Sequence, residues 1–164
     1  MPVLGSAVTR RVRDIMTAAT GLPYAVSAIA ERERVELAPI DPSQVIALNV
    51  ASATAERSAG AAYPAIYTYC ETLANLQKEK FRTFSGKAHM VVEVRVTHDR
   101  LEKVSSNLEY YTGAVTEVLD ASRGDWGGGM FYTGGYKVEF GPIKHGGKNF
   151  LQTAKVMFEV EVSY

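Results

Sequence analysis

The stretch AHMVVEVRVT, residues 88–97, decides the fold. Met90, Val92, Val94 and Val96 alternate with Val91, Glu93, Arg95 and Thr97, the two-residue period of a strand with one buried face. Asp99 follows, three residues before Glu102, an aspartate form of the capping box that predicts a helix start. Leu101, Val104, Leu108, Tyr111, Val115 and Val118 then fall on one helical stripe. Arg123-Gly124 predicts the stop, with glycine as a left-handed cap.

Working toward the C-terminus, nine of the chain's 14 glycines lie between Gly124 and Gly147 and punctuate two strands. The first is Tyr136 to Phe140. The second runs from Phe150 to Tyr164, with Phe150, Gln152, Ala154, Val156, Phe158, Val160, Val162 and Tyr164 on one face. At ~3.3 Å per residue it spans about 50 Å, more than a usual strand, which predicts protrusion or pairing with a neighbouring chain.

Working toward the N-terminus, AIYTYC (65–70) and QVIALNV (44–50) read as strands. Leu4, Val8, Val12, Ile15 and Ala19 predict an amphipathic first helix, ended by Gly21 and Pro23. Residues 24–35 read as a second short helix, with a strand as the competing assignment. ASATAERSAGAA (51–62) predicts a mobile loop, and residues 75–87 a projecting arm. The sum is a single α+β domain over 1–164: a mainly antiparallel sheet with helices on one face and a long C-terminal β-hairpin.

Composition narrows the function classes. The 164 residues fit one domain that buries roughly 70% of its unfolded surface. Lys+Arg and Asp+Glu are equal at 18 each, so no net charge draws the chain to nucleic acid or an acidic membrane, and little self-repulsion opposes self-association. Cys70 is the only cysteine, which excludes an internal disulfide and points to a reducing compartment. Arg10, Arg11 and Arg13 follow a short apolar patch, the reverse of a signal peptide. No apolar run reaches the ~20 residues a membrane helix needs.

Four constellations invite a chemical reading. The window ending at Lys148 begins with Pro142 where a phosphate loop needs glycine, and Asn149 replaces the magnesium-binding hydroxyl; a hairpin turn explains it better. His89, His98 and His145 sit on three elements without ligand-spaced partners, so no metal or cofactor is expected. Glu93 and Arg95 share a strand face, as do Glu159 and Glu161, and read as a solvated or subunit-facing surface. Lys78, Lys80, Arg82 and Lys87 surround Phe81 and Phe84, a mixture that single-stranded nucleic acid also uses. Glu71 and Glu79 dilute that charge, which favours an assembly contact over a nucleic-acid site. Trp126, between glycines, is either a plug over the helix end or an anchor for a partner.

The order of strand 88–97, helix 99–122, glycine-rich turn 124–135 and terminal hairpin resembles the tail-terminator and neck proteins of long-tailed bacteriophages and phage-like particles. EKFRTFSGKAHMVVEVRVTHD (79–99) and GDWGGGMFYTGGYKVEFGPIKHGGKNFLQTAKVMFEVEVS (124–163) carry the resemblance, which covers residues 63–164. It implies a homohexameric ring without an active site or cofactor, capping the tail-tube protein and facing the head connector. DNA would pass through the ring without sequence-specific contact. It also implies assembly in the host cytoplasm and residence in the tail or neck of the virion. Lys78, Lys80, Phe81, Arg82, Phe84, Trp126, Phe131 and Tyr132 are the expected subunit or tail contacts. Two other readings stay open: a small cytoplasmic α+β enzyme or ligand-binding protein, and a nucleic-acid binder built on the 78–87 segment.

Overall fold

Alternation at 88–97 becomes a fourteen-residue strand at the centre of an α+β fold. The computed structural model describes residues 3–49, 62–76 and 81–164. In chain order these form α1 (Leu4–Thr17), α2 (Leu22–Glu33), a 3-10 turn (Pro42–Gln44), β1 (Val45–Ile46), β2 (Ala65–Asn75) and β3 (Ser85–His98). Then come α3 (Leu101–Ala121), β4 (Gly124–Gly127), β5 (Met130–Tyr132), β6 (Lys137–Phe140), β7 (Lys144–Gly146) and β8 (Asn149–Ser163). The sheet order is β1-β2-β3-β8-β5-β4. Among the described residues, only the β1–β2 pair is parallel.

The register explains the length of β8. Each residue from Phe150 to Ser163 pairs with one of β3, from His98 back to Ser85, without a break. Its other edge is shared by β7 at 149–151, β6 at 154–157 and β5 at 161–162. The expected protrusion does not occur, because β8 is paired along its length by β3 and over most of its other edge by β5, β6 and β7.

All three helices lie on one face. Val92, Val94, Val96, Ala154, Val156, Phe158 and Val160 point toward them. Val104, Leu108, Val115, Val118 and Leu119 of α3 meet that face, and α2 packs on α3 while α1 covers β2. Each Val or Leu so buried contributes about 1.5–3 kcal/mol. Leu101 is the exception on the predicted stripe: it is half-exposed in the first helical turn.

Two glycines are required by close approach. A Cβ on Gly86 would stand 1.8 Å from the Ala74 carbonyl oxygen, and one on Gly129 would stand 2.1 Å from that of Ser163. Both positions draw strands together at the end of the sheet where Tyr164 is tied down. There Thr83 and Phe84 donate their amides to the Tyr164 carbonyl at 2.9 and 3.2 Å, and the Tyr164 amide donates back to Phe84 at 2.8 Å.

Several boundaries differ from expectation. The second helix is formed but shifted: α2 begins at Leu22 and ends at Glu33, with Arg34 in the left-handed conformation as its cap. Of the strand expected at 44–50, the described residues form only β1 at Val45–Ile46, paired with Ile66 and Tyr67, and Val50 lies outside the described residues. Ala19 lies beyond α1 and is exposed, and Met16 takes its place in the core. Asp99 does not cap α3; its carboxylate lies 2.9 Å from His98 Nδ1, and Arg100 holds the cap position without a side-chain bond. Gly124 has φ of 119° but opens β4 instead of capping α3. The loop expected at 51–62 lies, except for Ala62, outside the described residues. So does the centre of the expected arm, and its described base is the tight closure of the β2–β3 hairpin.

Two core tyrosines set an alkaline limit. Tyr111 donates its hydroxyl to the Ala38 carbonyl at 2.8 Å, and Tyr132 donates to Gly135 at 3.0 Å. Burial is the main cause that pushes each phenol up to about 12. A folded value raised above the unfolded one, near 10, stabilises the protein fully below about pH 10. That stabilisation is lost as pH rises through about 12. The tyrosinate absorbance of Tyr111 and Tyr132 should therefore appear only with loss of near-ultraviolet circular dichroism. A single phase near pH 10 in the folded protein would contradict the burial.

Candidate recognition surface

The face of the sheet away from the helices carries a cross-strand ladder of charge. Lys87 stands opposite Glu161, His89 opposite Glu159, and Glu93 opposite Lys155. Lys87 Nζ reaches Glu159 diagonally at 2.8 Å, and His89 Nδ1 lies 3.5 Å from the same carboxylate. The Lys87 hydrogen bond holds the Glu159 carboxyl below its usual range. Both side chains are partly solvated, so the pair orders the face more than it stabilises the fold.

The centre of this face is buried. Glu93 is 6% and Arg95 2% exposed. Arg95 donates Nε and Nη2 to Glu93 Oε2 at 3.1 and 2.7 Å, and Tyr69 donates its hydroxyl to Oε1 at 2.6 Å. The Arg95 guanidinium lies 4.1 Å from the centre of the Tyr67 ring. Lys155 Nζ is 3.8 Å from Glu93 Oε1. Burial, and then the bond to Glu93, push the Tyr69 phenol above its ordinary range. A charge taken out of water demands this degree of satisfaction.

A cleft of about 440 Å³ opens above the pair. Tyr69 and Glu71 wall it on the β2 side, and Pro142 and Lys144 on the far side, with Lys155 between. The Glu93 carboxylate is engaged by its donors, and Lys144 and Lys155 line the cleft. Among the described residues, no three His, Cys, Asp or Glu side chains come together as a metal site.

Beside this cleft runs the outer edge of β2, with Asn49 near Tyr69 and Glu71. Among the described residues, β1 covers only Ile66 and Tyr67, and no strand pairs with the edge from Thr68 onward. A register shift between Cys70 and Thr72 bulges Glu71 there. On the helix side of the edge lies a hollow of about 460 Å³, lined in part by Gly5, Thr9, Arg10, Leu48 and Cys70. Burial pushes the Cys70 thiol up, so it is a sluggish nucleophile.

The expected contact residues divide. Phe84, Trp126 and Tyr132 are 2%, 8% and 0% exposed, which corrects the expectation that they face a neighbour. The glycine turn at 128–129 folds β4 back on β5 and carries both hairpin aromatics into the core. The Trp126 and Tyr132 rings lie 5.4 Å apart, and Tyr132 meets Phe158 edge-on at 5.5 Å. Trp126 donates Nε1–H to the Ser122 carbonyl at 2.7 Å, and Arg11 donates to the Trp126 carbonyl, so this residue is the plug over the end of α3. Phe81, Arg82 and Phe131 are exposed. Lys78 and Lys80 lie outside the described residues.

Sequence reasoning missed the buried ion pair. Its signal is the opposite charge at i and i+2 within MVVEVRV, facing two tyrosines spaced by two in AIYTYC. Among the described residues, no helix is long and apolar enough to cross a membrane. No protein-family model matches the chain, and a search of curated proteins found no significant similarity.

Proposed function

We propose that the chain is a structural subunit of a phage-tail-like particle, and that six copies form a ring at the head-proximal end of the tail. The ring ends growth of the tail tube and joins it to the head connector. The carrying observation is that, among the described residues, no strand pairs with two unlike lateral edges of the sheet: β2 beyond Thr68 and the far side of β6. A closed ring needs a head-to-tail contact between two different surfaces of one subunit. Zero net charge leaves such closure unopposed by self-repulsion. The helix-free face and the exposed Phe81, Arg82 and Phe131 then supply the surfaces that meet tail and head.

A second reading, a ligand-binding protein, is favoured by the cleft above Glu93 and Arg95, whose volume falls in the range of small-molecule sites. Electron microscopy of particles made without the chain separates the two. The ring reading expects overlong tails and heads without tails. Normal joined particles would overturn it.

A further inference from the structure

We infer that the protein holds a phosphate group, esterified or free, in the groove between the end of α2 and the first half of α3. The groove has a volume of about 440 Å³. Arg34 and Glu36 line it from the segment after α2, His98 from the end of β3, and Lys103, Asn107 and Tyr110 from α3. None of these residues adjoins 50–61 or 77–80, the internal segments outside the described residues. Spacings of four and three put Lys103, Asn107 and Tyr110 on one face of α3. The opposite wall is tied down, since Tyr111 of α3 donates its hydroxyl to the Ala38 carbonyl at 2.8 Å. The site stands apart from the ring reading, and its failure would leave that reading untouched.

The donors of this groove are uncommitted. Among the described residues, the side chains of Arg34, Lys103, Asn107 and Tyr110 have no hydrogen-bond or ion-pair partner. Arg32, Arg95, Arg100 and Arg123, by contrast, each pair with a carboxylate. Arg34 also occupies a place that glycine usually fills. It caps α2 with φ of 54°, the one positive φ outside glycine among the described residues. Glycine would suit that backbone better. Arginine brings a planar fork of donors that matches phosphate oxygens in pairs. Lys103 adds a second charge. His98 has Nδ1 engaged, 3.0 Å from the Arg100 amide and 2.9 Å from the Asp99 carboxylate, which leaves Nε2 for a ligand. Glu36 is the one acidic residue of the lining. It opposes a bare dianion but accepts from hydroxyls, so a hydroxylated phosphate ester suits the groove better than free phosphate. The cations are exposed, so each contact alone is weak and binding needs several at once.

Isothermal titration calorimetry of the full chain, at constant pH and ionic strength, tests the site with ribose 5-phosphate and with inorganic phosphate. The ester should bind once per chain with a Kd of roughly 1 mM or below, and inorganic phosphate more weakly. Arg34→Gly should weaken the ester about tenfold or more, the loss of a charge-assisted contact. Its thermal midpoint should hold or rise, because glycine fits the left-handed cap, so lost binding there is not lost folding. Lys103→Gln should weaken binding likewise, and Glu36→Gln should tighten inorganic phosphate. Lys144→Gln, in the cleft above Glu93 and Arg95, should bind as the unmodified chain does. Saturable binding of the ester alone supports the site and assigns it to esters. No saturable heat from either probe up to about 10 mM overturns it. Binding that survives both Arg34→Gly and Lys103→Gln overturns it as well. Binding that is lost in Lys144→Gln instead puts the ligand in the other cleft and overturns the groove.

Discussion

Replacing Glu93 with alanine should destabilise the fold by about 3–5 kcal/mol, because it leaves the Arg95 guanidinium in the sheet without its counter-charge. The site leaves Arg95 little access to water, since the residue is 2% exposed. Tyr69 loses its 2.6 Å acceptor in the same change. For a chain of this length the loss corresponds to a fall of roughly 10 °C or more in thermal midpoint. The double variant Glu93→Leu, Arg95→Met should recover most of it, since an apolar pair removes both desolvation costs. Urea unfolding of the three proteins checks this. A loss below about 1 kcal/mol for Glu93→Ala would mean that water reaches the pair.

The second large effect lies in the glycine-flanked hairpin. Tyr132→Ala should cost about 3–5 kcal/mol, the range for emptying an aromatic core site. Its ring is fully buried between Trp126 and Phe158. Phe131→Ala, one residue earlier on the opposite face and 44% exposed, should cost less than about 1 kcal/mol. Equal losses at the two positions would contradict the alternation of β5. The contrast also bears on assembly. Phe131 is available to a neighbour and Tyr132 is not.

These two sites show what the sequence reveals and what it hides. The valines of β3 and the stripe of α3 were legible, because period alone separates a strand from a helix and each pattern runs over several turns or pairs. The β4–β5 hairpin was not. Its strands are four and three residues long. Glycines at 127–129 remove the side chains from which a period is read, yet their positive φ values turn the chain back and bury Trp126 and Tyr132. Alternation assigned Glu93 and Arg95 to a solvated or subunit-facing surface, because it reports a face and not its depth. Tyr67 and Tyr69, distant in sequence, supply the cover and the hydroxyl that bury the pair. The length of β8 was read correctly, but its use was not. Three short strands separated by glycine-rich turns fill one edge where a neighbouring chain had been expected.

Sheet edges are made of backbone, and sequence marks them only weakly, since an unpaired amide has no letter. Glu71 at the bulge of β2 is a charged residue of the kind that limits indiscriminate pairing of an exposed strand.

The most direct measurement is the native mass of the purified protein at micromolar concentration. The account predicts a dominant species of six times the 17.9 kDa protomer, without intermediate open oligomers, because a closed ring leaves no free edge. A protein that is monomeric in solution and also present as single copies within particles would contradict it.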